Sequence, residues 1–298
     1  MISGLDQTGE ECGFPFATRI GETVFMLVVL KLEQMMRTCL ACDSPLGANR
    51  TNEHIIADWL LQELGMSEEK LTQVVADSVT GEMKDARPKH PMDAFREGRV
   101  CGQCNWGWMS QLESQVRLIL PDLMNGKRSV TAVSTEESLV IARWMLKTAV
   151  VLSHASGFDE PLPQAHLQFL KNNPTLLPTQ IGVFGATQRA TRDFGYLQRN
   201  HWVNVEEPSA KVLKTLVGKE YKLSIELRNL FLMAAYLPSG SSHFMLAAGM
   251  HVPIWPTNTL LPCYRTDLTV VNPYDSLNVL ALFNNSLGAV HPSGYKAH

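Results

Sequence analysis

The chain has 298 residues, of which 45% are apolar and 18% charged. That composition excludes long disorder and a small disulfide scaffold, and the length suits two domains. A formal net charge of −3, from 26 basic and 29 acidic residues, excludes a uniformly cationic nucleic-acid coat. Contact with phosphates needs only a local basic patch.

Residues 1–36 read as an N-terminal extension, different in character from the rest of the chain. Their apolar run VFMLVVL at 24–30 comes after acidic residues instead of a basic flank, which argues against a secretory signal. It is far short of the ~20 residues that span a bilayer. The expectation is a cytoplasmic protein with no membrane partner.

Residues 37–124 carry the chemistry. CLAC places Cys39 and Cys42 in one tight turn, and CGQC places Cys101 and Cys104 in another. Paired C-x2-C units in a chain of this size read as the four thiolates of a structural zinc site. The 58 residues 43–100 lie between the pairs, so the ion would tie two remote pieces of chain and demand a folded insertion. TNEHII suits the end of a strand. ADWLLQELG suits a short helix with Gly65 just past its end. The insertion at 66–100 is polar, and its prolines at 88 and 91 predict irregular structure. Met109, Leu112, Val116 and Ile119 recur at helical spacing, so a helix begins just after Cys104 and stops near Pro121.

Glu53 and His54 come after one cysteine pair and Asn105 after the other. A zinc ion joining the pairs draws all three to one region. A carboxylate and an amide oxygen suit a hard divalent cation such as Mg2+ or Mn2+, and an imidazole takes a proton from water near neutrality.

The stretch NEHII, the flanking C-x2-C pairs and the run CNWGW resemble the HNH endonucleases, specifically the four-cysteine, zinc-stapled variant of the ββα-metal fold. The resemblance implies that Cys39, Cys42, Cys101 and Cys104 hold zinc. It implies that Glu53 and Asn105 hold the catalytic cation and that His54 activates water to hydrolyse DNA phosphodiester bonds. It covers about 85 residues. EHII followed by ADWLLQELG, with CNWGWMSQLE later, also resembles a bacterial subgroup in which this unit is joined to a longer C-terminal domain. Departures from the pattern are Glu53 where Asp is commoner, no Asn before the second cysteine pair, and Trp108 where many relatives carry Lys.

Lys84, Arg87, Lys89, Arg96 and Arg99 make the insertion a candidate phosphate-contacting flap, balanced against an ordinary solvated loop. Trp106 and Trp108 suit base stacking, with core packing the commoner use of such residues.

Residues 125–298 read as a C-terminal α+β domain of open role, with docking of a protein partner or a second copy as one expectation. SVTAVS predicts a strand. Ser134 and Glu137 form a capping box before a long helix ending near Gly157, with Leu139, Ala142, Met145, Leu146 and Ala149 facing the core. A second helix falls at 164–171. Strands are predicted in TQIGVFGA, HWVNV, SHFMLAAGMHV and LTVV. Arg189, Arg192, Arg199, Lys211, Lys214, Lys219 and Lys222 read as a solvated face, with a DNA-facing surface as the alternative.

The whole is predicted as an α+β protein: a metal-dependent HNH endonuclease with DNA as its partner. The rival is a zinc-stapled nucleic-acid or protein binding module whose nuclease activity is weak or lost.

Overall fold

A computed structural model describes residues 37–71, 74–76, 83–86, 90–92, 96–158, 160–188, 192–200, 220–238, 243–247, 252–256, 263–264, 280, 283–284 and 287–290. The extension 1–36 lies outside them, as do HWVNV and LTVV, Arg87, Lys89, Arg189, Lys211, Lys214 and Lys219. The protein mixes helix and sheet as an α+β fold.

Strand β1 (Arg50–His54) leads into helix α1 (Asp58–Leu64). That helix ends at Gly65, whose φ of 70° is the left-handed cap that glycine supplies at least cost. The insertion is more regular than its polarity predicts. β2 (Lys70–Leu71) pairs with β5 (His90–Pro91), and β3 (Val74–Ala76) pairs with β4 (Met83–Ala86), both antiparallel. Backbone pairing needs no apolar alternation, and its proline at 91 sits in a two-residue strand at the margin of the ladder. β6 (Arg96–Cys101) then returns antiparallel to β1, with Arg50 opposite Cys101 and His54 opposite Arg96.

A helical turn at Gly102–Cys104 runs into a π-type segment, Asn105–Met109, and then into α2 (Ser110–Val116). Met109, Leu112, Val116 and Ile119 are all buried, as their spacing requires. Pro121 does not stop this helix. It sits in the first turn of the next one, α3 (Leu120–Met124), where its missing N–H costs nothing.

SVTAVS is not a strand either. Val130–Ala132 form a 3-10 turn, opened by Ser129, that leads into α4 (Thr135–Ala155). The capping box of α4 is present: Ser134 accepts from the Glu137 backbone, and Glu137 accepts from the Ser134 backbone. Arg128 also grips the Glu137 carboxylate. That contact, with the Ser134 N–H, brings the Glu137 pKa down to about 2. Every residue of α4 from Ile141 to Ser153 is buried, so it is a central helix and not an amphipathic one. α5 (Gln164–Asn172) packs beside it.

β7 (Ile181–Thr187), β8 (Phe194–Asn200), β9 (Tyr221–Leu227), β10 (Leu230–Tyr236) and β12 (Val252–Trp255) form an antiparallel sheet in the order β12-β7-β10-β9-β8. β11 (His243–Ala247), β13 (Cys263–Tyr264) and β14 (Leu287–Val290) form a smaller one. One face of the larger sheet packs on the helices and the other on Leu280, Phe283 and Leu287. Lys222 is buried on that second face, not solvated. Its ammonium donates to the carbonyls of Asn284 and Leu287, and burial, helped by Arg199, brings its pKa down to about 7. Arg192 pairs with the buried Glu226 at 2.7 Å.

One hydrophobic core runs from Cys39 to Ile254 and includes residues on both sides of position 124. The two segments read from the sequence therefore share an interior. No described helix is long and apolar enough to cross a membrane.

Candidate metal centre and neighbouring polar site

The first cysteine turn is built by backbone hydrogen bonds. The Cys39 N–H donates to Ser44 O, the Asp43 N–H donates to Cys39 O, and Asp43 takes a φ of 56°. The Leu40 N–H donates to Arg99 O on β6 at 2.9 Å, docking this turn against the strand that carries the second pair. As a result the Sγ atoms of Cys39, Cys42, Cys101 and Cys104 all lie within 4.8 Å of one another.

The sulfurs of Cys42 and Cys101 are 3.7 Å apart. A zinc ion with Zn–S bonds of about 2.3 Å needs tetrahedral edges of about 3.8 Å, so the donor set fits a tetrathiolate metal centre. The Cys101 N–H donates to Cys39 Sγ at 3.3 Å, the kind of contact that favours a thiolate. Burial pushes the Cys39 and Cys104 thiols up. At Cys42 burial also raises the pKa, but hydrogen bonds from Ser44, Cys39 and Cys101 outweigh it and bring the thiol down to about 7.

The cluster brings the 39–42 turn to the end of β6 and to the helical turn that follows it, and β1 adjoins it as the partner strand of β6. The Asn105 amide donates to Thr51 Oγ1 at 3.1 Å, and Thr51 Oγ1 donates to Val100 O. Asn105 is thereby tied to β1 two residues before Glu53, across a bulge between Thr51 and Glu53. The Asn105 side-chain oxygen, Oδ1, accepts no hydrogen bond among the described residues. His54 is the next residue after Glu53. Its Nε2 lies 3.3 Å from Asp58 Oδ1 at the start of α1, yet makes no aligned hydrogen bond there.

Glu53 is only 6% exposed. Its Oε1 accepts from Lys147 Nζ at 2.6 Å, and Lys147 comes from the middle of α4. The same ammonium donates to Glu113 Oε1 at 3.0 Å. Glu113 accepts two indole N–H bonds, from Trp144 at 2.9 Å and from Trp59 at 3.1 Å. Lys147 is 1% exposed. Burial opposes its charge, but the two carboxylates outweigh that and raise its pKa. Glu53 Oε2 accepts no hydrogen bond among the described residues.

Two turns along α4, His154 meets the other strand. Arg99 Nη2 donates to His154 Nδ1 at 2.9 Å, and His154 Nε2 donates to Leu162 O at 2.8 Å. Burial, and then Arg99, lower the His154 pKa, so this tautomer is the neutral one. Arg99 also binds Glu97. Residues 147 and 154 are seven apart and so share a helix face. α4 thus holds β1 through Glu53 and β6 through Arg99. From α5, Gln164 and Gln168 donate to Asp43 in the cysteine turn.

The sequence placed Glu53, His54, Asn105 and the four cysteines in one region; the structure brings the four cysteines together and ties Asn105 to Thr51, on the strand that also carries Glu53 and His54. It places the flap residues less uniformly. Arg96 is exposed at the start of β6, Lys84 lies in β4, and Arg99 is committed to Glu97 and His154. Trp106 is 76% exposed, whereas Trp108 packs on the core. Thr51, Asp58, Glu113 and Lys147 were not singled out from the sequence. Lys147 had a signal, a cation (with Arg143) within the apolar run of α4, but its partners lie 34 and 94 positions away.

No family model, curated protein or solved structure matches this chain.

Proposed function

We propose that this chain is a metal-dependent endonuclease of the HNH type, hydrolysing DNA phosphodiester bonds with His54 as general base. The observation that carries this reading is a four-cysteine cluster, suited to zinc, next to a helix start whose Asn105 bonds to Thr51 on the strand that carries Glu53 and His54. The donor chemistry fits a divalent cation. Glu53 Oε2 and Asn105 Oδ1 are hard oxygen atoms without protein partners among the described residues. They would hold Mg2+ or Mn2+, which supplies Lewis-acid stabilisation of the phosphorane and the leaving oxygen.

His54 takes the proton of the attacking water. Asp58 Oδ1 lies 3.3 Å from Nε2, out of line for a hydrogen bond in this structure; a small turn of the imidazole would let the Nε2–H donate to it and leave Nδ1 to accept the proton. Asn105 stays in place through Thr51, and the zinc cluster orders the scaffold without touching the substrate. Arg96 at the start of β6 and Trp106 in the π-type segment are both exposed and suit contact with the DNA backbone and a base.

The test is relaxation of supercoiled plasmid with added Mg2+ or Mn2+. The wild type nicks, and His54→Ala does not while keeping its zinc and its circular dichroism. Nicking that survives His54→Ala removes His54 from this role.

A second reading, a zinc-stapled binding module without hydrolysis, is favoured by one contact: Glu53 already has a cation partner in Lys147. It predicts DNA retardation with no nicking under any divalent cation.

A further inference from the structure

We infer that Lys147, carried by α4 of the second segment, is a positioning residue for Glu53: it takes Oε1 so that Oε2 is the oxygen presented to a divalent cation. This rests on the nuclease reading of the site. The second segment is then an integral part of that site and not an appended domain.

The geometry is a chain of restraints. Trp59 on α1 and Trp144 on α4 each donate an indole N–H to a different oxygen of Glu113. Glu113 cannot rotate without breaking both. Glu113 fixes the Lys147 ammonium at 3.0 Å, and the ammonium fixes Glu53 Oε1 at 2.6 Å. Glu53 sits beside a bulge near the end of β1, and Lys147 is the side chain that bonds its carboxylate among the described residues.

Stability alone does not account for the network. Well-packed apolar residues in place of a buried ion pair are often neutral or stabilising. A partner that orients a metal-ligating carboxylate, by contrast, typically changes metal affinity or activity by ~10–100-fold. The charges also fit. Two carboxylates and one ammonium leave a single negative charge, which favours a cation at the free oxygen.

The same charge balance supplies a discriminating variant. Lys147→Met/Glu113→Gln removes one positive and one negative group, so the cluster keeps its net charge of −1 while Glu53 loses its anchor. The full-length, zinc-loaded protein is titrated with Mn2+ and followed by electron paramagnetic resonance. Zinc content, circular dichroism and plasmid nicking are read alongside. The double variant is expected to keep its zinc and helix content, to bind Mn2+ at least about tenfold more weakly, and to lose kcat with KM for DNA unchanged. Wild-type Mn2+ affinity in a folded double variant overturns the proposal and leaves Lys147 a structural residue.

Glu53→Gln separates this failure from that of the nuclease reading. If it binds Mn2+ as the wild type does, Glu53 is not a ligand and both readings fall. Should the double variant lose its zinc, the wild-type protein decides. The slowly exchanging Lys147 ammonium resonance is expected to shift during a Mg2+ titration with the midpoint of Mg2+ binding. A resonance that does not move while Mg2+ binds overturns the proposal.

Discussion

Removing the metal from the cysteine cluster is the perturbation whose size can be worked most directly from the structure. The cluster ties Cys42 to Cys101 across the 58 residues 43–100. Treated as a cross-link, closing a loop of that length lowers the entropy of the unfolded chain enough to stabilise the fold by about 4 kcal/mol. Whole domains are stable by about 5–15 kcal/mol, so the loss is a large fraction of the total. The continuous core carries that loss beyond the ribbon into α4 and the larger sheet. Purified protein is expected to hold one zinc per chain by elemental analysis. Urea titration with and without a strong chelator, or with Cys104→Ser, is expected to show a midpoint lower by that free energy. Amide exchange at Leu40 and Cys101, whose N–H groups bond to Arg99 O and Cys39 Sγ, is expected to speed up first. Metal-free protein with an unchanged midpoint and protected amides at those two residues would refute the claim that the ion holds the ribbon to the helix.

Ser134→Ala, which removes the hydroxyl of the capping box at α4, is expected to cost about 1 kcal/mol in urea titration; no change would show that Arg128 alone fixes Glu137. His166 is buried against Tyr221 and Tyr236, and desolvation lowers its pKa to about 4. The unfolded chain binds this proton near pH 6.5 and the folded one only near pH 4, so stability is complete above pH 6.5 and falls as pH drops to 4. The full loss is about 3 kcal/mol, and His166→Gln is expected to flatten that limb in pH-dependent thermal melts. Lys147→Met alone leaves Glu53 and Glu113 buried without their cation and is expected to cost about 3–5 kcal/mol; Lys147→Met/Glu113→Gln is expected to recover only the share due to Glu113, since Glu53 stays buried and unpaired. Asp58→Asn is expected to slow nicking several-fold with zinc and fold intact, and an unchanged rate would free His54 from that contact.

Local chemistry determined what was legible in the sequence. A tight turn aims two thiols one way, so the C-x2-C pairs announced a metal centre from spacing alone. Ser134, Glu137, Gly65 and the helical repeat from Met109 to Ile119 announced helix ends and a buried stripe, because capping and periodicity act within a few residues. The β9–β10 hairpin was missed for a physical reason. Both faces of that sheet are covered, so LFLMAAY has no alternation to mark it as a strand, while YKLSIEL keeps the period-2 pattern but with its polar residues buried. SVTAVS carries the residues of a strand but has no partner to pair with among the described residues, and the demands of the α4 cap turned it into a 3-10 turn.

Tertiary structure alone decided the company of Glu53. The sequence put a carboxylate beside His54 but could not say that Lys147, 94 positions on, would bind it, or that Glu113 and two tryptophans would hold that lysine. It also could not say that described residues from Cys39 to Met124 and from Val130 to Ile254 share one interior. Ion pairs and core contacts between remote segments leave no periodic trace in a chain. They exist only once α4 is laid across both strands of the ribbon.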